Sequence, residues 1–152
     1  MKFRIVAVGK PRDRALAAAI TEYETRAGRY WPLEAVEVRD ENGRDSALVR
    51  AREGTRLLEQ VGGARLVICD EHGEGYDSAA FAAWLQAARE AARDVAFVIG
   101  GAFGLDDSVR RVAERRLALA PWTLPHELAR VVLAEQLYRA GTIVRREPYH
   151  KA

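Results

Sequence analysis

Five short apolar runs, each separated from the next by an amphipathic stretch, constrain the fold of this chain more than any other feature. The runs have the length and composition of buried strands, and the stretches between them have apolar residues at helical spacing. This alternation predicts an α/β fold, with a mostly parallel sheet and helices on both of its faces. The strands are predicted over Phe3–Val8, Leu33–Val38, 65–70, Val95–Ile99 and 117–120.

Capping and breaking residues set the limits of the predicted helices. Asp77 caps one helix, Asp106 or Asp107 caps a short one that ends near Glu114, and Pro125 opens the last. Residues 142–144 are predicted as a further short strand. Since the chain contains no linker or repeat, its 152 residues are expected to form a single domain. The other helices are predicted over 15–23, Ser46–Val61 and 78–92, and the last over 126–141.

Composition narrows the class of protein. Hydrophobic residues make up 49% of the chain and charged residues 30%, which is too apolar for intrinsic disorder. The net charge of +2 is too small to indicate a nucleic-acid surface by itself, although several arginines occur in pairs. The single cysteine, the absence of a signal-peptide pattern and the lack of an apolar run of about 20 residues predict a cytoplasmic protein without a membrane segment.

A glycine-rich turn follows the fourth predicted strand. Gly100, Gly101 and Gly104 have no side chains, so the backbone there can approach a ligand closely. Their spacing is not that of a dinucleotide fingerprint, and no phosphate-loop lysine follows. A ligand loop and a purely structural tight turn both account for this segment.

The loop after the fifth predicted strand lies between Pro121 and Pro125. Thr123 is a candidate helix cap, and His126 and Arg130 are spaced to share one face of the last helix. In a parallel α/β sheet, ligands bind beyond the carboxyl ends of the strands, where this loop begins. The pair is therefore a candidate functional site, although a histidine in the first turn of a helix is often structural.

The chain ends in an aromatic residue, a histidine and a cation: Tyr149, His150 and Lys151. This content suits stacking on a base and contact with phosphate, although chain ends are commonly disordered. No metal site is predicted, since the three histidines lack ligand spacing.

Taken in order, several motifs resemble the ribosomal RNA large subunit methyltransferase H family, which is of the SPOUT class. The resemblance extends over the whole chain. It implies a C-terminal deep trefoil knot, a homodimer, and methyl transfer from S-adenosylmethionine to N3 of a pseudouridine in 23S ribosomal RNA, with the assembled ribosome as the expected substrate. The motifs are Ile5-Val6-Ala7-Val8-Gly9-Lys10, Thr21-Glu22-Tyr23, the turn Ile99-Gly100-Gly101 with Gly104-Leu105, Thr123-Leu124-Pro125-His126, Leu137-Tyr138-Arg139-Ala140 and Pro148-Tyr149-His150-Lys151.

The resemblance also implies roles for individual residues. His126, Arg130, Tyr149 and His150 are expected to surround the target base, with either histidine as the proton acceptor, and Lys151 is expected to join Arg130, Tyr149 and His150 in contacting RNA. Two departures weaken this expectation: Glu74 is acidic where the family commonly has a base, and the chain ends in Lys151-Ala152 where Arg-Glu is common. The residues expected to contact the cofactor are Cys69, Gly100, Leu119, Ala120, Pro121, Trp122, Thr123 and Leu124.

Two other classes of function remain open from the sequence. A non-catalytic RNA- or ribosome-binding module would account for the arginines and the aromatic tail, but not for the glycine turn. A nucleotide-dependent oxidoreductase would suit the fold class, but the glycine spacing opposes it. Cofactor binding separates these classes.

Overall fold

A computed structural model describes residues 1–150 and shows one five-stranded sheet in the order β2-β1-β4-β3-β5, with every neighbouring pair parallel. The parallel α/β class predicted from the sequence is therefore confirmed. The strands are β1 (Phe3–Val8), β2 (Leu33–Val38), β3 (Arg65–Gly75), β4 (Val95–Ile99) and β5 (Arg115–Ala118), and the helices are α1 (Arg14–Ala27), α2 (Ser46–Val61), α3 (Ser78–Glu90), α4 (Asp107–Val112) and α5 (His126–Val144).

Helices cover both faces of the sheet, as the alternating pattern predicted. Alternate residues of the strands point to opposite faces, so two apolar cores form. Residues of α1, α3 and α5 fill the larger core with Phe3, Phe97 and Trp31, while α2 and α4 fill the smaller core with Val6 and Val98. The central strand β4 has all five residues buried because it is covered on both faces.

Aspartates begin four of the five helices. Asp13, Asp45, Asp77 and Asp106 each accept a hydrogen bond from a backbone N–H in the first turn, which satisfies donors that the helix itself leaves free. The predicted cap Asp77 is confirmed, and of the two candidates for α4 the cap is Asp106. Helix α5 instead begins after Pro125 without a side-chain cap, so the expectation that Thr123 caps it is wrong.

The end of the chain differs most from the prediction. Residues 142–144 form no strand but continue α5, and Thr142 bonds back to the carbonyl oxygen of Arg139 at 2.7 Å. Gly141 does not stop the helix either. A Cβ at Gly141 would lie 2.4 Å from Cβ and Cγ of Tyr30, so this glycine allows α5 to pack closely against the end of α1.

The third strand was predicted to end at Asp70, but β3 continues to Gly75, so the prediction was five residues too short. Its register against β5 is interrupted, since Cys69 and Glu74 are both partners of Leu117. The residues between them bulge out of the ladder.

We expect Gly141→Ala to destabilise the fold by about 1–3 kcal/mol, since the added methyl group overpacks the contact with Tyr30. Urea unfolding of the two proteins would measure the difference. Gly63→Ala is the matched control, because a Cβ there meets no atom within 4 Å. Equal midpoints for Gly141→Ala and the native chain would contradict this account of the packing.

Candidate functional site

A cleft of about 480 Å³ lies at the carboxyl edge of the sheet, where β3, β4 and β5 end. Three segments at the carboxyl ends of strands, where ligands bind in this class of fold, form its walls. They are the end of β3, the glycine turn after β4, and the loop from β5 to α5. The lining residues are Cys69, Asp70, Glu71, Ile99, Gly100, Gly101, Ala102, Gly104, Leu105, Arg110, Leu119, Ala120, Trp122, Thr123, Leu124, Pro125, His126 and Ala129.

The glycine turn forms the floor of this cleft and depends on missing side chains. A Cβ at Gly100 would lie 2.9 Å from the carbonyl carbon of Gly104 and 3.0 Å from Cγ of Leu105. Gly104 has a φ of +83°, a conformation that favours glycine, and its N–H bonds to the carbonyl of Gly101 at 3.0 Å. The turn is therefore compact, and it leaves bare backbone facing the cleft.

The loop between β5 and α5 forms the opposite wall. Thr123 donates a hydrogen bond from its hydroxyl to Glu71, which ties the loop to the bulge of β3. Trp122 is 77% exposed, although it is the largest apolar side chain of the loop. Of the eight residues expected to contact a cofactor, seven line the cleft and Pro121 does not.

Two side chains of the β3 end give the wall its electrostatic character. Asp70 is buried, and it pairs with the Arg110 guanidinium and accepts the His72 N–H. Desolvation raises the pKa of Cys69 to about 12, so its thiol stays protonated at neutral pH. A thiol in that state is a poor nucleophile, so Cys69 contributes surface and not covalent chemistry.

His126 and Arg130 are not brought together, although they lie one turn apart on α5. His126 is exposed and lines the cleft. Arg130 is 6% exposed, and its guanidinium donates to Glu24 at 2.8 and 3.1 Å and to Glu37 at 3.1 Å. It therefore links α5 to α1 and β2, and it does not line the cleft. A buried cation needs carboxylate partners, so the Arg130 side chain points toward Glu24 and Glu37 and away from the cleft.

The tail residues also lie away from the cleft of their own protomer. Tyr149 donates to Glu135 at 3.0 Å and packs against Tyr138, with ring centroids 4.4 Å apart and the rings tilted by 54°. His150 Nδ1 lies 3.4 Å from the Thr142 hydroxyl. Glu135 is nine residues beyond His126, which is about 14 Å along a helix axis. Lys151 lies outside the described residues.

Tyr149 is held as a neutral phenol in this position. Desolvation, followed by the hydrogen bond to the Glu135 carboxylate, raises the pKa of Tyr149 to about 12. A phenol in this state can donate a hydrogen bond or stack on a base, but it does not act as a base near neutral pH.

Sequence reasoning missed Glu53, which lies beneath the glycine turn. This α2 residue is 4% exposed; its Oε2 accepts the Glu41 N–H at 3.1 Å, and its Oε1 has no hydrogen-bond partner among residues 1–150. A signal for it existed. Val49, Glu53 and Leu57 are spaced four residues apart and share the buried face of α2, so the acid interrupts an apolar stripe.

Within residues 1–150, no group of three histidine, cysteine, aspartate or glutamate side chains is arranged to hold a metal ion. No helix in the same part of the chain is both long and apolar enough to cross a membrane.

Comparison with known proteins identifies relatives across the whole chain. A family model described as a predicted SPOUT methyltransferase matches residues 1–150. The ribosomal RNA large subunit methyltransferase H of Gemmatimonas aurantiaca is 57% identical, covering 99% of this chain and 100% of that protein. The protein of the same name from Pelobacter propionicus is 46% identical over 99% of both chains.

Solved structures with low sequence identity share the fold. A probable methyltransferase from Bordetella pertussis superposes with a TM-score of 0.58 at 16% identity, over 91% of this chain and 95% of that one. A tRNA (m1G37) methyltransferase from Aquifex aeolicus gives a TM-score of 0.54 at 14% identity, over 100% of this chain and 76% of that one.

Proposed function

From the premise that this chain belongs to the SPOUT methyltransferases, among the ribosomal RNA large subunit methyltransferase H proteins, we propose that it methylates N3 of a pseudouridine in 23S ribosomal RNA. The methyl donor is S-adenosylmethionine, as the family resemblance predicted. The observation that carries the proposal is the cleft at the carboxyl edge. Seven of the eight residues expected to contact the donor line it together.

The chemistry of the cleft fits this cofactor. A Cβ at Gly100 would displace the turn that forms the floor of the cleft. Because this residue is a glycine, we propose that its backbone contacts the adenosine part of S-adenosylmethionine. Leu119, Leu124 and Ala129 provide apolar surface, and the backbone of the β5–α5 loop provides hydrogen-bonding groups. We propose that Pro121, which does not line the cleft, contributes by stiffening this loop.

When bound, S-adenosylmethionine supplies an electrophilic methyl group, so the protein must hold the acceptor nitrogen in place and favour its deprotonated form. His126 is the histidine on the cleft wall, and we assign it the role of proton acceptor. Because the Arg130 guanidinium is bound to Glu24 and Glu37, we assign this arginine to holding α5, and hence His126, in place.

The tail can complete the site only from another protomer in this arrangement. Tyr149 and His150 lie along the second half of α5, while His126 lies at its start. We propose a homodimer in which the tail of one subunit closes over the target base in the cleft of its partner. Such an arrangement requires the start of α5 in one subunit to lie near the end of α5 in its partner, which a two-fold axis allows.

We further propose that the C-terminal part forms a deep trefoil knot and that the protein acts in the cytoplasm on assembled ribosomes. The chain leaves edge strand β5, passes over the carboxyl edge, and enters α5 between α1 and α3. Membership of the SPOUT family supports the knot. Because residues 1–150 form one sheet with its covering helices, we propose that recognition of shape on the ribosome and across a dimer supplies specificity.

The proposed function is tested by incubating purified protein with S-adenosylmethionine and ribosomes that lack the modification, then identifying the modified nucleoside by mass spectrometry. N3-methylpseudouridine is the expected product. Calorimetric titration with S-adenosylmethionine and with a nicotinamide dinucleotide separates the rival classes. A non-catalytic module would bind neither, and an oxidoreductase would bind the second.

Gly100→Val should weaken S-adenosylmethionine binding by about 2 kcal/mol or more, because the added side chain displaces the glycine turn from Gly104 and Leu105. Isothermal calorimetry on the folded variant would measure the loss. Gly63→Val is the control, since its Cβ position is open. Unchanged affinity in a folded Gly100→Val protein would refute the assignment of the cleft.

Light scattering at micromolar concentration should give about twice the 16.9 kDa of one chain. The reason is the apolar surface left by one protomer: Leu128, Val131 and Val132 of α5 are incompletely buried, and Trp122 is exposed beside them in sequence. Burial of such surface favours association. A mass of one chain at every concentration would rule out the dimer.

Removal of residues 148–152 should spare cofactor binding and dimerisation but slow methyl transfer. Loss of one stacked base contact is worth about 1–3 kcal/mol, and misplacement of the acceptor can slow the rate on the order of a hundredfold. Single-turnover methylation at matched cofactor occupancy measures the effect. Equal rates for truncated and full-length protein would show that the tail is an ordinary chain end.

A further inference from the structure

A second cleft, of about 230 Å³, adjoins the first at the carboxyl ends of β1 and β4. The chain leaves β1 through α1 toward β2 on one side, and leaves β4 through α4 toward β5 on the other. The space between β1 and β4 is therefore the topological switch point of the sheet, where open α/β folds bind their ligands. The cofactor cleft lies to one side of it, so the switch point is available for a different ligand.

The floor of the second cleft contains an unsatisfied polar group. Glu53 lines this cleft, and its Oε1 is the buried side-chain oxygen without a partner among residues 1–150. A Cβ at Gly101 would lie 2.9 Å from that oxygen and 3.1 Å from Val8. Glycine at position 101 thus keeps a side chain away from Oε1. Leaving a buried acceptor without a donor is costly, and a ligand that brings a donor removes that cost.

Ligands in the two clefts would meet. Gly101, Ala102 and His126 line both clefts, so they form a shared wall. A group that enters the second cleft can therefore present one of its edges toward the methyl donor and another toward Glu53. This is the arrangement needed by an acceptor that reacts at one atom and is recognised at another.

The remaining walls indicate the class of ligand. Phe103 is 46% exposed at the rim, where a planar ring can stack on it. Lys10 and Arg12 are exposed beside it and suit phosphate groups, although the Arg12 guanidinium also pairs with Asp40 at 3.0 Å. The acids Glu41 and Glu127 are likewise paired, so Glu53 Oε1 is the acceptor that a ligand can use. A phosphate at the rim and a ring N–H at Glu53 are the contacts expected of a nucleotide that enters base first.

We propose that the second cleft receives the acceptor base, and that Glu53 selects pseudouridine by accepting a hydrogen bond from the N1–H that uridine lacks. In pseudouridine the sugar is attached through carbon, which leaves both N1–H and N3–H on the ring. With N3 at the shared wall, N1–H is the other donor and points into the cleft. The inference rests on the proposed function and adds the basis of its substrate selection.

Burial strengthens this role for Glu53. Desolvation raises the pKa of its carboxyl group, and a carboxyl oxygen accepts an N–H bond whether or not the group is ionised. A site with a buried acceptor rejects a substrate that lacks the matching donor more strongly than an apolar pocket rejects a wrong shape.

The first experiment changes the ligand and leaves the protein native. Pseudouridine 5′-monophosphate, added with S-adenosylhomocysteine, should shift the backbone amide NMR signals of Gly9, Glu41 and Gly101. Uridine 5′-monophosphate and N1-methylpseudouridine 5′-monophosphate, which both lack N1–H, should shift them about tenfold less at equal concentration. Equal shifts with all three nucleotides, or shifts confined to residues 119–124, would overturn the proposal.

The second experiment changes Glu53 and measures selectivity. Single-turnover methylation is compared on ribosomes that carry pseudouridine and on ribosomes that carry uridine at the target position. Glu53→Leu should reduce the preference for pseudouridine at least about tenfold, and so should Glu53→Gln, because its one amide oxygen is needed by the Glu41 N–H and its NH2 group then faces the N1–H donor. Glu59→Leu is the control, since Glu59 is exposed on the same helix. Should Glu53→Leu fail to fold, Glu53→Gln and the nucleotide series still decide the question.

The outcomes separate this inference from the proposed function. If the native protein methylates neither kind of ribosome, the proposed function fails. If it methylates pseudouridine and Glu53→Leu keeps the full preference with intact S-adenosylmethionine affinity, only the role of Glu53 fails. Loss of S-adenosylmethionine affinity in Glu53→Gln would instead show that Glu53 supports the glycine turn, and would also overturn the proposal.

Discussion

The complete burial of β4 is the constraint on which the rest of the structure depends. This strand pairs with β1 and β3 along its length, and helices cover both of its faces. Its carboxyl end must therefore leave the core at one point, between the ends of its two neighbours. The turn that follows, from Gly100 to Gly104, lines both clefts. The backbone that lines the clefts is therefore held in place by a rigid strand.

Glycines in this turn have two separate functions. Gly100 would clash with the returning backbone at Gly104, so its missing side chain keeps the turn compact. Gly101 would instead clash with Glu53 and Val8 on the other side. One short segment thus separates two ligand spaces, and each space depends on a different missing Cβ.

The sequence predicted the local features of the fold well, because they depend on local chemistry. Strands β1, β2 and β4 and helix α2 were predicted with the limits that the structure has, since apolar periodicity and capping residues are read from neighbours in the chain. The error at residues 142–144 has a different origin. β-branched residues favour a strand there, but packing of Gly141 on Tyr30 keeps the segment helical.

Side-chain partners were the part of the site that sequence reasoning could not supply. The cleft residues from Cys69 to Leu124 come from strand ends, which the fold class brings to one edge, so their grouping could be predicted. Arg130 instead pairs with Glu24 and Glu37, which lie 106 and 93 residues away in the chain. Nothing in the local sequence distinguishes that arginine from one that faces a ligand.

The same limit applies to the arginines that suggested an RNA surface. Arg110 pairs with Asp70 in the wall of the larger cleft, and Arg65 pairs with Glu114 at 2.5 Å. Arg111 and Arg116 are exposed. Part of the basic content thus serves the fold, which agrees with a net charge of only +2. An arginine that is already paired within the fold contributes less to counterion release on RNA binding than a free one.

In the proposed arrangement, specificity depends on groups inside the clefts. The donor cleft is shaped mainly by backbone and apolar surface, which distinguishes molecules by shape. The second cleft has a buried carboxyl group with a free acceptor, which distinguishes molecules by where they carry an N–H. An unpaired buried acceptor costs stability, and in the proposed site the N–H of the matching base would offset that cost. The proposal thus places the selective group where the nucleotide must be chosen among many similar ones, whereas the methyl donor is selected by shape.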